Sequence, residues 1–313
     1  MKIKYLLLPV FFLSMMALMQ SCDSPDDKKG RFLLKGNEKL KENDLKGAID
    51  FYTEALNIDP DFRDARFNRA LIQQRLFKLD ESIQDYSKIL ESNPQDIESL
   101  FQRGLAYLDN GEFYKAKTDA QKSVDLAADS WKSYFLMGLV EEKLGNHKEA
   151  LASFDKGLQL QPDNTDLMVN KATILFYQKS FDEALSLLGK AEKINPTEAN
   201  IYNLQSMIAF EKGSYDQALD WVEKAIKTNN RISYYYNNRG LYLLFLGEFE
   251  KGLEDINYAI KQDPKNQYAY RNKGIYYVLT GQPEIGKKYL EELMQKSPDM
   301  ELVKEYYEKS QSN

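Results

Sequence analysis

The chain has 313 residues, with 42 Lys and Arg against 48 Asp and Glu, a formal net charge of −6, one His and one Cys. That acidic balance argues against a phosphate-backbone partner, which needs clustered cations, so no nucleic-acid binding is expected. His147 and Cys22 alone cannot make a His/Cys metal centre, and no nucleophile–base constellation is visible. The sequence therefore predicts no enzyme, no cofactor and no metal.

The N-terminus is a distinct material. Lys2 and Lys4 precede an apolar run from Tyr5 to Met19, interrupted by Pro9 and Ser14. The run is short for a membrane span and has the flanks of a secretory signal, here residues 1–21. Its removal takes away two lysines and no acid, which moves the formal charge from −6 to about −8. The lone cysteine that follows has no intramolecular disulfide partner. Leu18-Met19-Gln20-Ser21-Cys22 resembles the lipobox of bacterial lipoproteins, with Met19 and Gln20 departing from its usual small residues. The resemblance implies cleavage before Cys22, acylation there, and a lipid-anchored protein of the bacterial cell envelope. Which membrane and leaflet carry it, and whether it faces the periplasm or is surface-exposed, stay open. Ordinary cleavage, leaving a free thiol, is the alternative. Residues 22–28 then read as the anchored cysteine and a flexible polar tether.

From residue 29 the chain repeats. Pro60, Pro94, Pro162, Pro196, Pro264 and Pro298 lie on one 34-residue grid, with Ala128 and Asn230 at its two vacant points. The grid divides 29–300 into eight units: 29–62, 63–96, 97–130, 131–164, 165–198, 199–232, 233–266 and 267–300. The eighth position of each is small, from Gly36 and Ala70 to Gly240 and Gly274, and so is the twentieth, from Ala48 and Ser82 to Gly252 and Gly286. A fixed period of this length is the signature of a solenoid with a nearest-neighbour core. Each unit reads as two helices. Gly111, Gly145, Gly213, Gly247 and Gly281 stop the first, and the recurring proline ends the second. Residues 301–313 read as a capping helix and tail, with Leu302, Val303, Tyr306 and Tyr307 turned to the last unit.

Bulk at position 4 (Phe32, Leu100, Tyr134, Tyr202, Tyr236, Tyr270), small residues at 8 and 20 and proline at 32 resemble the tetratricopeptide repeat. The resemblance covers residues 29–300. It implies an all-α fold, a right-handed α-solenoid superhelix of about eight helix-turn-helix units with a C-terminal capping helix. Repeat 2 carries Phe77-Lys78 where most sisters have glycine and a polar residue, so its internal turn is expected to differ. The family resemblance also implies a concave groove lined by positions 2, 5, 6, 9, 12 and 13 of each first helix. These positions nominate Phe67, Asn68, Phe101, Gln102, Phe135, Asn170, Tyr234, Asn238, Tyr268, Arg271 and Asn272 as a peptide-binding surface. The Asn row at position 6 could clamp an extended backbone, and the aromatics could anchor side chains. The carboxylate clamp of heat-shock organising adaptors is excluded, because Leu33, Glu98 and Gln102 stand where its cations belong. A scaffold for a protein or peptide partner is the first reading, and a glycan- or nutrient-binding protein is the alternative.

Overall fold

A computed structural model describes residues 24–312, which form seventeen α-helices and no strand. The signal-type segment and Cys22 lie outside the described residues. The chain divides into two compact units at Ala128 and Asp129, beside one of the two grid points that lack proline. The first contains α1 (Pro25–Lys41), α2 (Leu45–Ile58), α3 (Arg63–Arg75), α4 (Leu79–Ser92), α5 (Ile97–Asp109) and α6 (Phe113–Leu126). The second begins with α7 (Trp131–Lys143), α8 (His147–Leu160), α9 (Thr165–Tyr177), α10 (Phe181–Ile194) and α11 (Ala199–Glu211). It continues through α12 (Tyr215–Thr228), α13 (Ser233–Phe245), α14 (Phe249–Gln262), α15 (Gln267–Leu279), α16 (Pro283–Lys296) and α17 (Val303–Gln311). Sequential helices pair as antiparallel hairpins.

The small residues explain how closely each pair packs. A Cβ added to Gly252 would stand 2.9 Å from the Gly240 carbonyl oxygen, and one on Gly138 would overlap the Phe154 ring. Between the helices of a pair the chain needs one left-handed residue. Glycine supplies it at Gly111, Gly145, Gly213, Gly247 and Gly281. Contrary to expectation, repeat 2 keeps the same turn: Phe77 itself adopts φ 56°, and Lys78 N–H donates to the Gln73 carbonyl as Glu112 N–H does to Tyr107. Hydrogen bonding holds the turn although an aromatic residue in that region costs about 1 kcal/mol. Phe77 is 83% exposed, so no burial offsets the cost.

Two further boundaries differ from the sequence reading. Residues 25–28, expected as tether, form the first turn of α1. Ser24 Oγ accepts from Asp27 N–H, the Asp27 carboxylate accepts from Ser24 N–H, and Pro25 opens the helix. At the far end, α17 starts only at Val303, because Leu302 turns left-handed at φ 66° and residues 299–302 form a bend and turn.

In the first unit, buried ion pairs stitch the repeats. Arg69 binds Asp85 bidentately (both 2.7 Å) and reaches Thr53 of the preceding repeat at 3.1 Å. Arg103 repeats the pattern with Asp119 (both 2.7 Å) and Ser87 (3.0 Å). Arg63 binds Asp96 at the end of its own repeat and Glu98 at the start of the next. Apolar packing there falls into separate groups around Tyr52 and Tyr86. In the second unit a further group surrounds Phe154, and one continuous core then runs from Met168 on α9 to Tyr306 on α17.

Candidate binding groove

Within the second unit, α9, α11, α13 and α15 pack side by side, so the same helical face recurs four times. Their inner positions line a cavity of about 800 Å³. Position 2 brings Asn200, Tyr234 and Tyr268; position 5 brings Val169, Asn203, Asn237 and Arg271; positions 12 and 13 bring Phe176, Tyr177, Phe210 and Glu211. Tyr177 is 58% exposed, Tyr234 41% and Tyr268 53%, three large side chains of one groove left uncovered. Lys143 of α7 lines the same cavity, as does the turn Asp299–Leu302.

The structure brings together Asn170, Tyr234, Asn238, Tyr268 and Arg271 from the nominated set. Asn272 is corrected: it is fully buried below the floor, donating to the backbone and side-chain oxygens of Asn237 (3.2 and 2.9 Å). Phe135 is also outside the cavity lining, packed among Trp131, Leu139 and Phe154. Phe67, Asn68, Phe101 and Gln102 belong to the first unit, half-buried on α3 and α5. Phe67 sits edge-on to Tyr86 with the Arg63 guanidinium 4.5 Å from its ring centre.

The Asn row has a role inside the fold. Asn68 donates to Asn37 (3.2 Å), Asn238 to Asn203 (2.9 Å), and Asn272 to Asn237, each joining one repeat to its predecessor; Asn170 donates to the Asp166 carbonyl. At least one N–H of each of these amides is engaged within the fold, so the row is not free to act as a clamp on all its donors. Asn200 is similar, accepting from Tyr234 and Tyr235 hydroxyls at 2.6 and 2.8 Å.

Arg271 is the floor's charged group. Only 6% of it is exposed, and burial pulls its guanidinium down to about 10 from the usual arginine range. Its Nε donates to Asn272 at 2.9 Å and its Nη1 to the Glu301 carbonyl at 3.2 Å; the cation stands 5.2 Å from the Tyr268 ring centre. Glu211 and Glu301 lie near enough to feel this charge, yet no carboxylate forms an ion pair with Arg271 among the described residues. Burial, reinforced by Glu301, raises the Glu211 carboxyl above its ordinary value.

Sequence reasoning missed Phe176, Tyr177, Phe210, Glu211 and the 299–302 turn. Positions 12 and 13 carried the signal for the first four. No sequence pattern marks the turn, because its last residues fit the capping-helix pattern.

Family models described as tetratricopeptide repeat match residues 33–97, 143–208 and 199–231, and one described as anaphase-promoting complex, cyclosome, subunit 3 matches 76–157. Human DnaJ homolog subfamily C member 7 is 33% identical over 91 residues, 28% of this chain and 18% of that protein. The rat mitochondrial import receptor subunit TOM70 is 37% identical over 83 residues, 24% of this chain and 14% of its own length. The matches thus span less than a fifth of these curated relatives. Among solved structures, the APC/C hetero-tetramer Cut9–Hcn1 aligns at TM-score 0.71 and 13% identity, over 96% of this chain and 58% of that one. Yeast Tom70 aligns at 0.59 and 18% identity, over 94% and 66%. Pseudomonas aeruginosa pilF aligns at 0.55 and 17% identity, over 70% and 99%. At these identities the likeness is one of fold.

Proposed function

We propose that this chain, which belongs to the tetratricopeptide-repeat family, is a lipid-anchored scaffold of a bacterial cell envelope whose second unit holds a segment of a partner protein. One observation carries the binding half of this reading: Tyr177, Tyr234 and Tyr268 stand exposed in a single groove. Tyrosine gives large contact area for little lost rotamer freedom, and such residues dominate binding energy where water is excluded around them. One similar protein is a mitochondrial import receptor subunit and another was crystallised in a hetero-tetramer, which supports a role in holding other proteins. The anchoring half rests on the Lys2–Cys22 segment. Two or three acyl chains at Cys22 would hold the protein stably where one would be marginal.

Proximity cross-linking of the native protein in the cells that make it, followed by mass spectrometry, tests both halves. A partner lost on Tyr177→Ala with Tyr268→Ala, in a protein that keeps its helicity, supports the groove. Partners unchanged by that pair sink it. Cys22→Ser should release the protein from membranes, and persistent membrane attachment would contradict the lipid anchor.

The volume of the cavity and its ring of amides and tyrosines also suit a glycan-sized ligand. That second reading requires a saturable thermal shift with an oligosaccharide and no protein partner that depends on the groove.

A further inference from the structure

The groove is not empty along its whole length. Asp299, Met300, Glu301 and Leu302 line it in sequence, between the end of α16 and the start of α17. Glu301 presents its backbone carbonyl to the buried guanidinium of Arg271, as an incoming peptide could. Three features make this seat weak. Leu302, with no glycine freedom, holds φ 66°. α17 begins, like most helices here, with no side-chain cap, and its first N–H leans on the Met300 carbonyl of the turn itself. Glu211 and Glu301 line the same cavity, two acidic side chains sharing one groove. The rest of α17 is held chiefly by the core, because Val303, Tyr306 and Ser310 are buried and Tyr306 packs on Phe245; only the Val303 and Tyr306 amides lean on the turn, through the Met300 and Leu302 carbonyls. A turn strained on one side of a well-anchored helix can lift without unfolding the unit.

We propose that the Asp299–Leu302 turn is a displaceable occupant of the groove, a built-in competitor that must lift off Arg271 before a partner segment can use that end. The inference rests on the reading of the groove as a binding surface. A partner that displaces the turn offers a carbonyl or carboxylate oxygen to Arg271 and apolar groups where Met300 and Leu302 now sit. Displacement exchanges one set of contacts for another, so the turn lowers apparent affinity and rejects segments that satisfy Arg271 poorly.

Hydrogen exchange of the full chain, read by mass spectrometry, tests this without a known partner. In the wild type, amides of 299–303 should exchange far faster than those of α15 and the buried part of α17. Arg271→Gln should speed exchange at 299–303 by roughly tenfold, the weight of one hydrogen bond to a charged donor. Glu211→Gln, at a residue outside the core, should slow it severalfold by removing the opposed charge. Opposite signs from the two sides of the groove identify a poised seat, whereas a purely structural Arg271 would leave Glu211→Gln silent. If Arg271→Gln unfolds the unit, the wild-type pattern and Glu211→Gln still decide. Turn amides as protected as α15, or a silent Glu211→Gln, would overturn the proposal. Retention of a random decapeptide library on the wild type reads the groove separately: peptides bound there with a rigid turn would refute displacement alone, and no bound peptide at all would refute both readings.

Discussion

The two units put the same repeat to different use. In the first, two A-helix arginines are tied down: Arg69 and Arg103 are locked to Asp85 and Asp119, both 3% exposed, and to hydroxyls of the preceding repeat. In the second, Arg239 keeps such a pair with Asp255, but Arg271 has no ion-pair carboxylate among the described residues, and the A helices bring uncovered tyrosines to one cavity. Its stability comes from a continuous apolar core beneath that surface. The comparison teaches that an array can assign cohesion to one stretch and leave large side chains uncovered in another, where a ligand can cover them.

The largest expected effect is on the cohesive side. Asp119→Ala strands the Arg103 guanidinium in a half-buried site and should destabilise the first unit by about 3–5 kcal/mol, measured by chemical denaturation. If the loss is under about 1 kcal/mol, the ion pairs are ornaments of the first unit and the contrast fails. Gly138→Leu, in the second unit, should cost about 3 kcal/mol, since even a Cβ meets the Phe154 ring. Helix spacing would have to relax freely for a smaller value. Phe77→Gly should stabilise the first unit by about 1 kcal/mol by relieving a left-handed aromatic residue, and a destabilisation would show that the exposed ring is held by contacts within the unit. The smallest effect concerns pH. The Glu211 carboxyl, faced by Glu301, Lys179 and Arg271, is raised in the folded state, so its ionisation opposes the fold and seating of the turn weakens as pH rises through its folded value. Exchange at 299–303, corrected for intrinsic rates, should therefore slow on acidification from neutral pH, and Glu211→Gln should abolish the change.

The architecture was legible because it depends on spacing alone. Positions 8 and 20 must be small wherever two helices cross closely, and Gly240 facing Gly252 shows why. The groove was only partly legible. Tyr234, Tyr268 and Arg271 followed from helical position, but the role of an asparagine at position 6 depends on its neighbour 31 or 35 residues earlier. Asn238 and Asn272 found Asn203 and Asn237 there, and so became ties between repeats. Phe77 misled in the opposite direction, because the turn's hydrogen bonds outweigh the preference of a single residue. The 299–302 turn was hidden because Leu302 belongs equally well to a helical pattern, and only packing against the groove selects its left-handed backbone.

The central claim is that binding resides in the second unit's groove and cohesion in the first. The most direct test compares two full-length variants for retention of the same random decapeptide library, Tyr177→Ala with Tyr268→Ala and Phe67→Ala with Phe101→Ala. The account predicts that the first pair loses retained peptides with an unchanged melting temperature, while the second melts earlier and keeps them. Peptides lost with the Phe pair at a temperature where that variant is still folded, and kept with the Tyr pair, would contradict it.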